Sequence, residues 1–281
     1  MNISETLQKA TEILAQNEIA EPRREANSLL AFALGKDKTF LIAHSEYELS
    51  ETEAESFQEI LKRRANREPL QYLRGTQEFF GLDFIVTPDV LIPRPETELI
   101  VEAAIEILKT KENPRFCEIG TGSGCISVSI LHEIKNASAI GADISEKALK
   151  ITKLNADKNL VSERLEIIQS DVFNNFDDEK FDLIVSNPPY ISIEDFQSLQ
   201  LEVKNFEPQN ALTDSKDGLS IIEKIVLDAP KFLKPDCYLL IEIGFDQSNK
   251  VKKMFDLQIW NSVDFLRDLQ GIRRTVKAHL R

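Results

Sequence analysis

Apolar residues in the first 70 positions recur every three or four residues, which is the spacing of one face of an α-helix. The first such face comprises Leu7, Ala10, Ile13 and Leu14. A second helix should begin at Pro22 and stop at Gly35. The capping-box pair Ser50 and Glu53 opens a third. The pattern predicts a small helical domain over residues 1–70.

The third helix ends in a basic stretch, "KRRANRE", at residues 62–68. Cations at a helix C-terminus suit the helix dipole, which favours a solvated helix end. A phosphate-binding patch is the weaker alternative.

Residues 71–94 have a different composition, with aromatic and β-branched residues punctuated by Gly75 and Gly81. This composition predicts a β-hairpin linker. Two prolines in "IPRPETE" then break the chain and open a further helix, so a second domain is predicted over 95–281.

In the second domain, short apolar runs alternate with helical stretches. The runs read "RFCEIG", "SAIGADIS", "LEIIQSD", "FDLIVSN" and "CYLLIEIG". Such alternation indicates a buried parallel sheet with helices on both faces. The last two runs, "QIWNSVDFL" and "RRTVKAHL", leave no room for a helix between them, which predicts an antiparallel hairpin at the sheet edge. The fold class is therefore α/β, with a seven-stranded, mostly parallel sheet preceded by a small helical domain.

A glycine-rich turn, "EIGTGSG", follows the first strand of this sheet. Glycines let the backbone approach a ligand closely, and the helix that follows offers free N–H groups. The spacing is G-x-G-x-G, which differs from the G-x-G-x-x-G of dinucleotide binders. The residues predicted to hold a nucleoside here are Gly120, Thr121, Gly122, Ser123 and Gly124.

Acidic residues end the next two strands on the same predicted edge. Asp143 can accept both ribose hydroxyls of a nucleoside, although a turn or helix-cap role competes. Asp171 can accept from an adenine amine, and Val172 offers an apolar contact. Glu118, in an otherwise apolar strand, is costly to bury unpaired. It could anchor a cationic ligand group or form a salt bridge to a nearby Arg or Lys.

The fourth strand ends in "SNPPY", residues 186–190. Pro188 forces Asn187 into an extended conformation, and both prolines lack an N–H. Asn187 Oδ1 and the Pro188 carbonyl thus become a fixed pair of acceptors beside the flat ring of Tyr190. Two acceptors and a ring suit a planar –NH2 group, such as an amide or the adenine amine, and can orient its nitrogen towards an electrophile.

The net charge and the distribution of apolar and metal-ligating residues indicate which partners and cofactors to expect. Lys and Arg total 34 against 47 Asp and Glu, for a net charge of −13. This charge repels nucleic acid and anionic membranes, so neither partner is expected. The polar, periodic first residues are not expected to act as a signal peptide, and no apolar run approaches the length of a membrane span, so we expect a cytoplasmic protein. The metal ligands are too scattered to predict a metal site, and the cysteines are expected to be buried: His44, His132, His279, Cys117, Cys125 and Cys237.

Together, "EIGTGSG", "GAD", "QSD" and "SNPPY" resemble the S-adenosylmethionine-dependent methyltransferases with a Rossmann-like sheet. More narrowly, the chain resembles the peptide chain release factor glutamine N5-methyltransferases of the PrmC/HemK type. "FEPQNAL" and "DGL" resemble later motifs of that family, and the helical N-terminal third resembles its substrate-recognition bundle.

The resemblance implies methylation of the glutamine in the Gly-Gly-Gln motif of release factors. S-adenosyl-L-methionine would be the donor and S-adenosyl-L-homocysteine the product. Asn187, Pro188, Pro189 and Tyr190 would hold the glutamine amide. Val172 stands where some members carry an aromatic residue, and Glu118 where others have Asp. The donor would contact Glu118, Gly120, Thr121, Gly122, Ser123, Gly124, Asp143, Asp171, Val172 and Asn187.

Three other functions are compatible with parts of the pattern. Adenine-N6 methylation of DNA or RNA uses the same NPPY chemistry, but the base must be flipped out, and the acidic charge opposes binding. A non-catalytic adaptor would be expected to carry a degraded NPPY segment. A nicotinamide dehydrogenase disagrees with the glycine spacing.

Overall fold

The computed structural model describes all residues, 1–281. Its helices are α1 (Ile3–Gln16), α2 (Pro22–Leu34), α3 (Lys38–Ala43), α4 (Glu51–Ala65), α5 (Leu70–Arg74), α6 (Glu98–Leu108), α7 (Cys125–Glu133), α8 (Glu146–Lys158), α9 (Ile193–Phe196), α10 (Leu201–Phe206), α11 (Gln209–Leu212), α12 (Ser220–Asp228) and α13 (Ser248–Lys252). Its strands are β1 (Thr76–Phe79), β2 (Leu82–Ile85), β3 (Arg115–Ile119), β4 (Ser138–Asp143), β5 (Leu165–Gln169), β6 (Phe181–Ser186), β7 (Leu233–Glu242), β8 (Trp260–Arg267) and β9 (Arg273–Leu280).

The chain divides into two compact units, which differ from the predicted domains. The helical unit comprises Met1–Gly75 and Gln200–Phe206, and the sheet unit comprises Thr76–Leu199 and Glu207–Arg281. The helical unit therefore extends past residue 70 and includes α10. No helix of the chain combines the length and apolar character that crossing a membrane requires.

Helices α1, α2 and α4 of the helical unit begin and end largely as predicted. Ser50 and Glu53 form the expected capping box, and Gly35 ends α2 in the left-handed conformation. Helix α1 is capped by Asn2, whose side chain accepts from Glu5 N. The buried face of α1 includes Leu14, but Ile13 is 38% exposed, so its assignment to that face is wrong. At about 100° per residue, Ile13 lies beyond the edge of the stripe.

The basic end of α4 is not simply solvated. Arg64 is 6% exposed and donates through Nε to Glu25 Oε2 at 2.9 Å. Arg64 and Arg67 also lie 3.5 and 3.4 Å from Glu202 of α10. The prediction of a solvated helix end is thus wrong for Arg64, since its carboxylate partners come from α2 and from a segment 138 positions away. Paired in this way, a buried guanidinium is tolerated.

The hairpin of β1 and β2 joins the sheet unit. Its two buried rings, Phe79 and Phe84, pack in the same core as α6 and α7. Asn155 of α8 fixes the end of β2, since its side chain accepts from Ile85 N and donates to Ile85 O.

The main sheet confirms the predicted Rossmann-like architecture. Its strand order is β5-β4-β3-β6-β7-β9-β8, with the first five strands parallel and β9 antiparallel to both β7 and β8. Successive residues of β7 enter different cores: Leu239 and Ile241 contribute to one and Leu240 to the other. The sheet is therefore covered on both faces, and ligands have access at the carboxyl ends of its strands.

Candidate active site

A cavity of about 570 Å³ opens at the carboxyl ends of β3 to β6. Among the residues predicted from the sequence, ten line it: Glu118, Gly120, Thr121, Gly122, Ser123, Asp143, Asp171, Val172, Asn187 and Pro189. Gly124, Pro188 and Tyr190 do not line it but lie beside residues that do. The topology thus gathers predicted residues from four strands at one edge of the sheet.

The glycine turn has backbone angles that side chains rarely adopt. Gly122 has φ +55° and Gly124 has φ +79°. A Cβ added to Gly124 would lie 2.9 Å from Thr152 Cγ2, whereas one added to Gly122 would contact nothing within 4 Å. Gly124 therefore lets α7 approach α8, while Gly122 keeps the turn open beside the cavity.

Asp143 holds the turn in place. Its Oδ2 accepts from Gly122 N and its Oδ1 from Ser145 N, both at 2.9 Å. Ser145, rather than Asp143, caps α8 by accepting from Ala148 N. Burial raises the pKa of Asp143, although the hydrogen bonds from these N–H groups oppose the rise. Each carboxylate oxygen retains a lone pair that a ligand hydroxyl could donate to.

Glu118 is buried in β3 without a cationic partner. Its Oε2 accepts from the Thr121 hydroxyl and from Ser127 N, both at 3.0 Å. Burial raises the pKa of Glu118 to about 7, although these hydrogen bonds oppose the rise. The salt-bridge alternative is wrong, because no Arg or Lys pairs with this carboxyl.

The loop after β5 brings two residues to the cavity. The exposed Asp171 carboxylate pairs with Lys224 of α12 at 2.9 Å. Val172 is buried with φ +53°, a conformation that is strained for a β-branched side chain. Strain of this kind concentrates at ligand sites, because the surroundings must maintain it.

The SNPPY segment is tied to the glycine turn. Ser186 Oγ donates to Ile119 O at 2.7 Å, which places Asn187 beside Gly120. Asn187 Nδ2 donates to Thr97 Oγ1 at 3.1 Å, and this bond leaves Oδ1 available as an acceptor. Tyr190 Oη donates to Glu242 Oε1 at 3.2 Å. Burial and, to a smaller extent, the nearby carboxylate raise the pKa of Tyr190, so its hydroxyl keeps its proton.

Sequence reasoning missed four residues around this segment. Thr97 and Glu242 bond its side chains, as above. Gln247 Nε2 donates to Tyr190 O at 2.8 Å. Gly218 lies so close to the same carbonyl that a Cβ added to it would clash with the oxygen. Gly218 belongs to "DGL", and Glu242 is a single carboxylate in an apolar run, the signal that had singled out Glu118.

Arg94, which lines the cavity, pairs with a buried carboxylate. Arg94 Nη2 lies 2.5 Å from Glu207 Oε1, and Glu207 Oε2 accepts from Ile92 N at 3.1 Å. Glu207 thereby joins the "FEPQNAL" segment to the chain that enters α6. No group of three or more His, Cys, Asp or Glu side chains is arranged to hold a metal ion.

Known proteins resemble this chain along almost its whole length. The PrmC N-terminal domain matches residues 5–75, and the methyltransferase small domain matches residues 97–203. The release factor glutamine methyltransferase of Geobacter sulfurreducens is 39% identical over 267 residues, covering 95% of this chain and 93% of that protein.

A second relative is longer than this chain. The bifunctional methyltransferase of Rickettsia conorii is 37% identical over 299 residues, covering 98% of this chain but 57% of that protein. The chain thus spans just over half the length of this relative. The crystal structure of a methyltransferase from Pyrococcus furiosus superposes with a TM-score of 0.52 at 18% identity, covering 80% of this chain and 98% of that one. This last likeness shows the fold.

Proposed function

The chain belongs to the family of release factor glutamine methyltransferases, and we propose that it methylates the side-chain amide nitrogen (N5) of the glutamine in the GGQ motif of peptide chain release factors. S-adenosyl-L-methionine would be the methyl donor and S-adenosyl-L-homocysteine the product. The observation that carries the proposal is the position of SNPPY, whose Asn187 lines the same cavity as the glycine turn and Asp143.

The residues present fit this donor. The cavity volume lies in the usual range for small-molecule sites, about 300–1,000 Å³. Asp143 would accept from the ribose hydroxyls, the open turn at Gly122 would lie against the donor, and Val172 would contact its base. Glu118 would face the amino-acid part. When bound, the donor supplies an electrophilic methyl group on a positively charged sulfur.

The acceptor amide would be held by the SNPPY segment. Asn187 Oδ1 and the Pro188 carbonyl would accept its two N–H bonds, while Pro189 and the ring of Tyr190 would bound its plane. An amide nitrogen is a poor nucleophile because its lone pair is delocalised. Two fixed acceptors stabilise the positive charge that builds on the nitrogen during transfer, and they orient its lone pair.

The site needs no strong base. The product nitrogen becomes acidic once it carries the methyl group, so its proton can leave to water after transfer. The three cysteines are buried, and burial raises the pKa of Cys125, which lines the cavity, so its thiol keeps its proton.

The helical region, residues 1–70, would recognise the release factor, and residues 71–94 would join it to the catalytic domain, 95–281. A substrate of translation termination implies that the protein works in the cytoplasm. Neither a membrane nor a nucleic acid is needed as a partner.

Mass spectrometry of a release factor incubated with the protein and labelled donor tests the proposal. Label on the GGQ glutamine is the expected result. Label on adenine in DNA or RNA, with none on the release factor, would instead establish the alternative reaction. A release factor whose GGQ glutamine is changed to alanine is the matched control and should take no label.

A further inference from the structure

Arg94 is the only cationic residue that lines the cavity. Five acidic residues share the lining with it: Asp89, Glu118, Asp143, Asp171 and Asp214. The proposed donor carries two positive groups, its sulfonium and its ammonium, and one negative group, its α-carboxylate. The acidic lining suits the positive groups but repels the carboxylate. Arg94 is therefore the one lining side chain that can offer this carboxylate an opposite charge.

The backbone of Arg94 is fixed by its neighbours in "IPRPET". Pro95 keeps Arg94 in an extended conformation, with φ −103° and ψ 140°. Arg94 O accepts from Thr97 N at 3.0 Å, and Thr97 Oγ1 accepts from Asn187 Nδ2 at 3.1 Å. These two bonds connect Arg94 to the residue that would hold the substrate amide. In the donor, only a short aliphatic chain joins the carboxylate to the sulfur that bears the methyl group, so the carboxylate also belongs near Asn187.

The guanidinium of Arg94 is oriented by a buried carboxylate. Glu207 Oε1 accepts from Arg94 Nη2 at 2.5 Å, and Glu207 Oε2 accepts from Ile92 N at 3.1 Å. The Glu207 side chain is 1% exposed, whereas that of Arg94 is 33% exposed. A guanidinium carries several N–H donors, and the bond to Glu207 uses one of them. The donors that remain can form charge-assisted hydrogen bonds with a second carboxylate.

We propose that Arg94 binds the α-carboxylate of the methyl donor. The inference rests on the proposed function, because it takes S-adenosyl-L-methionine as the donor. The free N–H groups at the start of α7 are the competing site for a carboxylate. One of them, Ser127 N, already donates to Glu118, and none of them carries a full charge. Both observations favour Arg94 over the helix.

Two ligands that differ only in the carboxylate test the proposal. Calorimetry without an acceptor substrate measures the affinities of S-adenosyl-L-methionine and of decarboxylated S-adenosylmethionine. Arg94→Met removes the charge and keeps an unbranched side chain, so it should lose about tenfold or more of the affinity for the complete donor. The same variant should bind the decarboxylated donor at least as tightly as the wild type does, because that ligand carries positive groups alone.

Arg115→Met is the matched control. The Arg115 side chain is 37% exposed and pairs with Glu179 at 3.0 Å, but Arg115 is the first residue of β3, at the opposite edge of the sheet. This variant should bind both ligands as the wild type does. Arg94→Met leaves the buried Glu207 without its cation, which destabilises the fold. The double variant Arg94→Met, Glu207→Gln avoids the unpaired charge and should show the same selective loss of affinity for the complete donor.

Equal losses of affinity for both ligands would overturn the proposal, because they indicate a purely structural role for the Arg94–Glu207 pair. Unchanged affinity for the complete donor would also overturn it and would assign the carboxylate to the start of α7. In both cases the proposed function stands. A wild type that binds neither ligand refutes the donor, and with it both the proposed function and this inference. A wild type that binds the donor but labels adenine refutes the proposed acceptor alone.

Discussion

Two carboxyl groups are buried in central strands of the sheet, Glu118 in β3 and Glu242 in β7. Each is at most 2% exposed, and burial raises the pKa of each to about 7. Their hydrogen-bond partners are hydroxyl and N–H groups, and neither carboxyl forms an ion pair that would compensate its ionisation. Such groups cost stability and are typical of functional sites.

Glu118 gives a prediction for stability. Its pKa is about 7 in the folded protein and about 4.3 in an unfolded chain. The folded state therefore holds the proton more tightly, and this stabilisation is complete below about pH 4 and lost as the pH rises to about 7. Glu118→Gln, which keeps an acceptor for Thr121 and Ser127, should raise the free energy of unfolding at pH 8 by about 1–3 kcal/mol.

Urea denaturation of both proteins at about pH 5 and pH 8 measures this difference. The increase in the free energy of unfolding caused by Glu118→Gln should be smaller at the lower pH, because the wild-type carboxyl keeps its proton there. An equal gain at both values would contradict a raised pKa and would point to a packing effect of the amide.

Asn187→Ala removes the side-chain acceptor from the candidate active site. The substrate nitrogen would lose one of the two acceptors that stabilise its positive charge during methyl transfer, so kcat should fall about 10²-fold or more. Cofactor affinity should change far less, because the glycine turn and Asp143 remain. Single-turnover transfer to a release factor and calorimetry with the product cofactor measure the two effects. Asn249→Ala, an exposed change on α13, is the control; equal turnover of Asn187→Ala and wild type would refute the role.

At the scale of elements, three loops meet at the end of the tetrapeptide. Gln247, after β7, donates to the carbonyls of Tyr190 and Gly218 at 2.8 and 3.3 Å and accepts from Gly244 N. One side chain thereby joins the ends of β6 and β7 to the start of α12.

Gly218 gives a prediction for this junction. It has φ +76°, and an added Cβ would lie 2.1 Å from Tyr190 O. Gly218→Ala must therefore displace the backbone of Tyr190, and we expect a loss of kcat of about tenfold or more together with a lower melting temperature. Gly271, with φ +80° but nothing near its Cβ, is the matched control. If Gly218→Ala and Gly271→Ala lower kcat equally, the contact has no special role.

The elements predicted from sequence are those with a local signal. Apolar runs such as "FDLIVSN" predicted the parallel strands. The short connection before "RRTVKAHL" predicted the antiparallel pair at the sheet edge. The membership of α10 in the helical unit was not predictable, because its anchor joins Glu202 to Arg67 across 135 positions. Thr97 was missed for the same reason: its bond to Asn187 spans 90 positions, and a lone threonine has no pattern.

At the scale of the whole molecule, the net charge of −13 favours a protein substrate over a nucleic acid. An acidic surface lacks the cations that release counterions from phosphates. Fluorescence anisotropy with single-stranded DNA and RNA, from about 50 to 200 mM salt, should therefore show no saturable binding. Tight binding that weakens steeply with salt would instead support adenine-N6 methylation.

The helical unit is built from two separate segments of the chain, and this has a consequence for synthesis on the ribosome. Helices α1 to α5 are complete once residue 75 has been added, but α10 arrives with residues 201–206. At 5–20 residues per second, roughly 7 to 26 s separate the two events. During that interval the Arg64 guanidinium has Glu25 but lacks Glu202. The first unit to emerge therefore stays incomplete while β3 to β6 of the second unit are made.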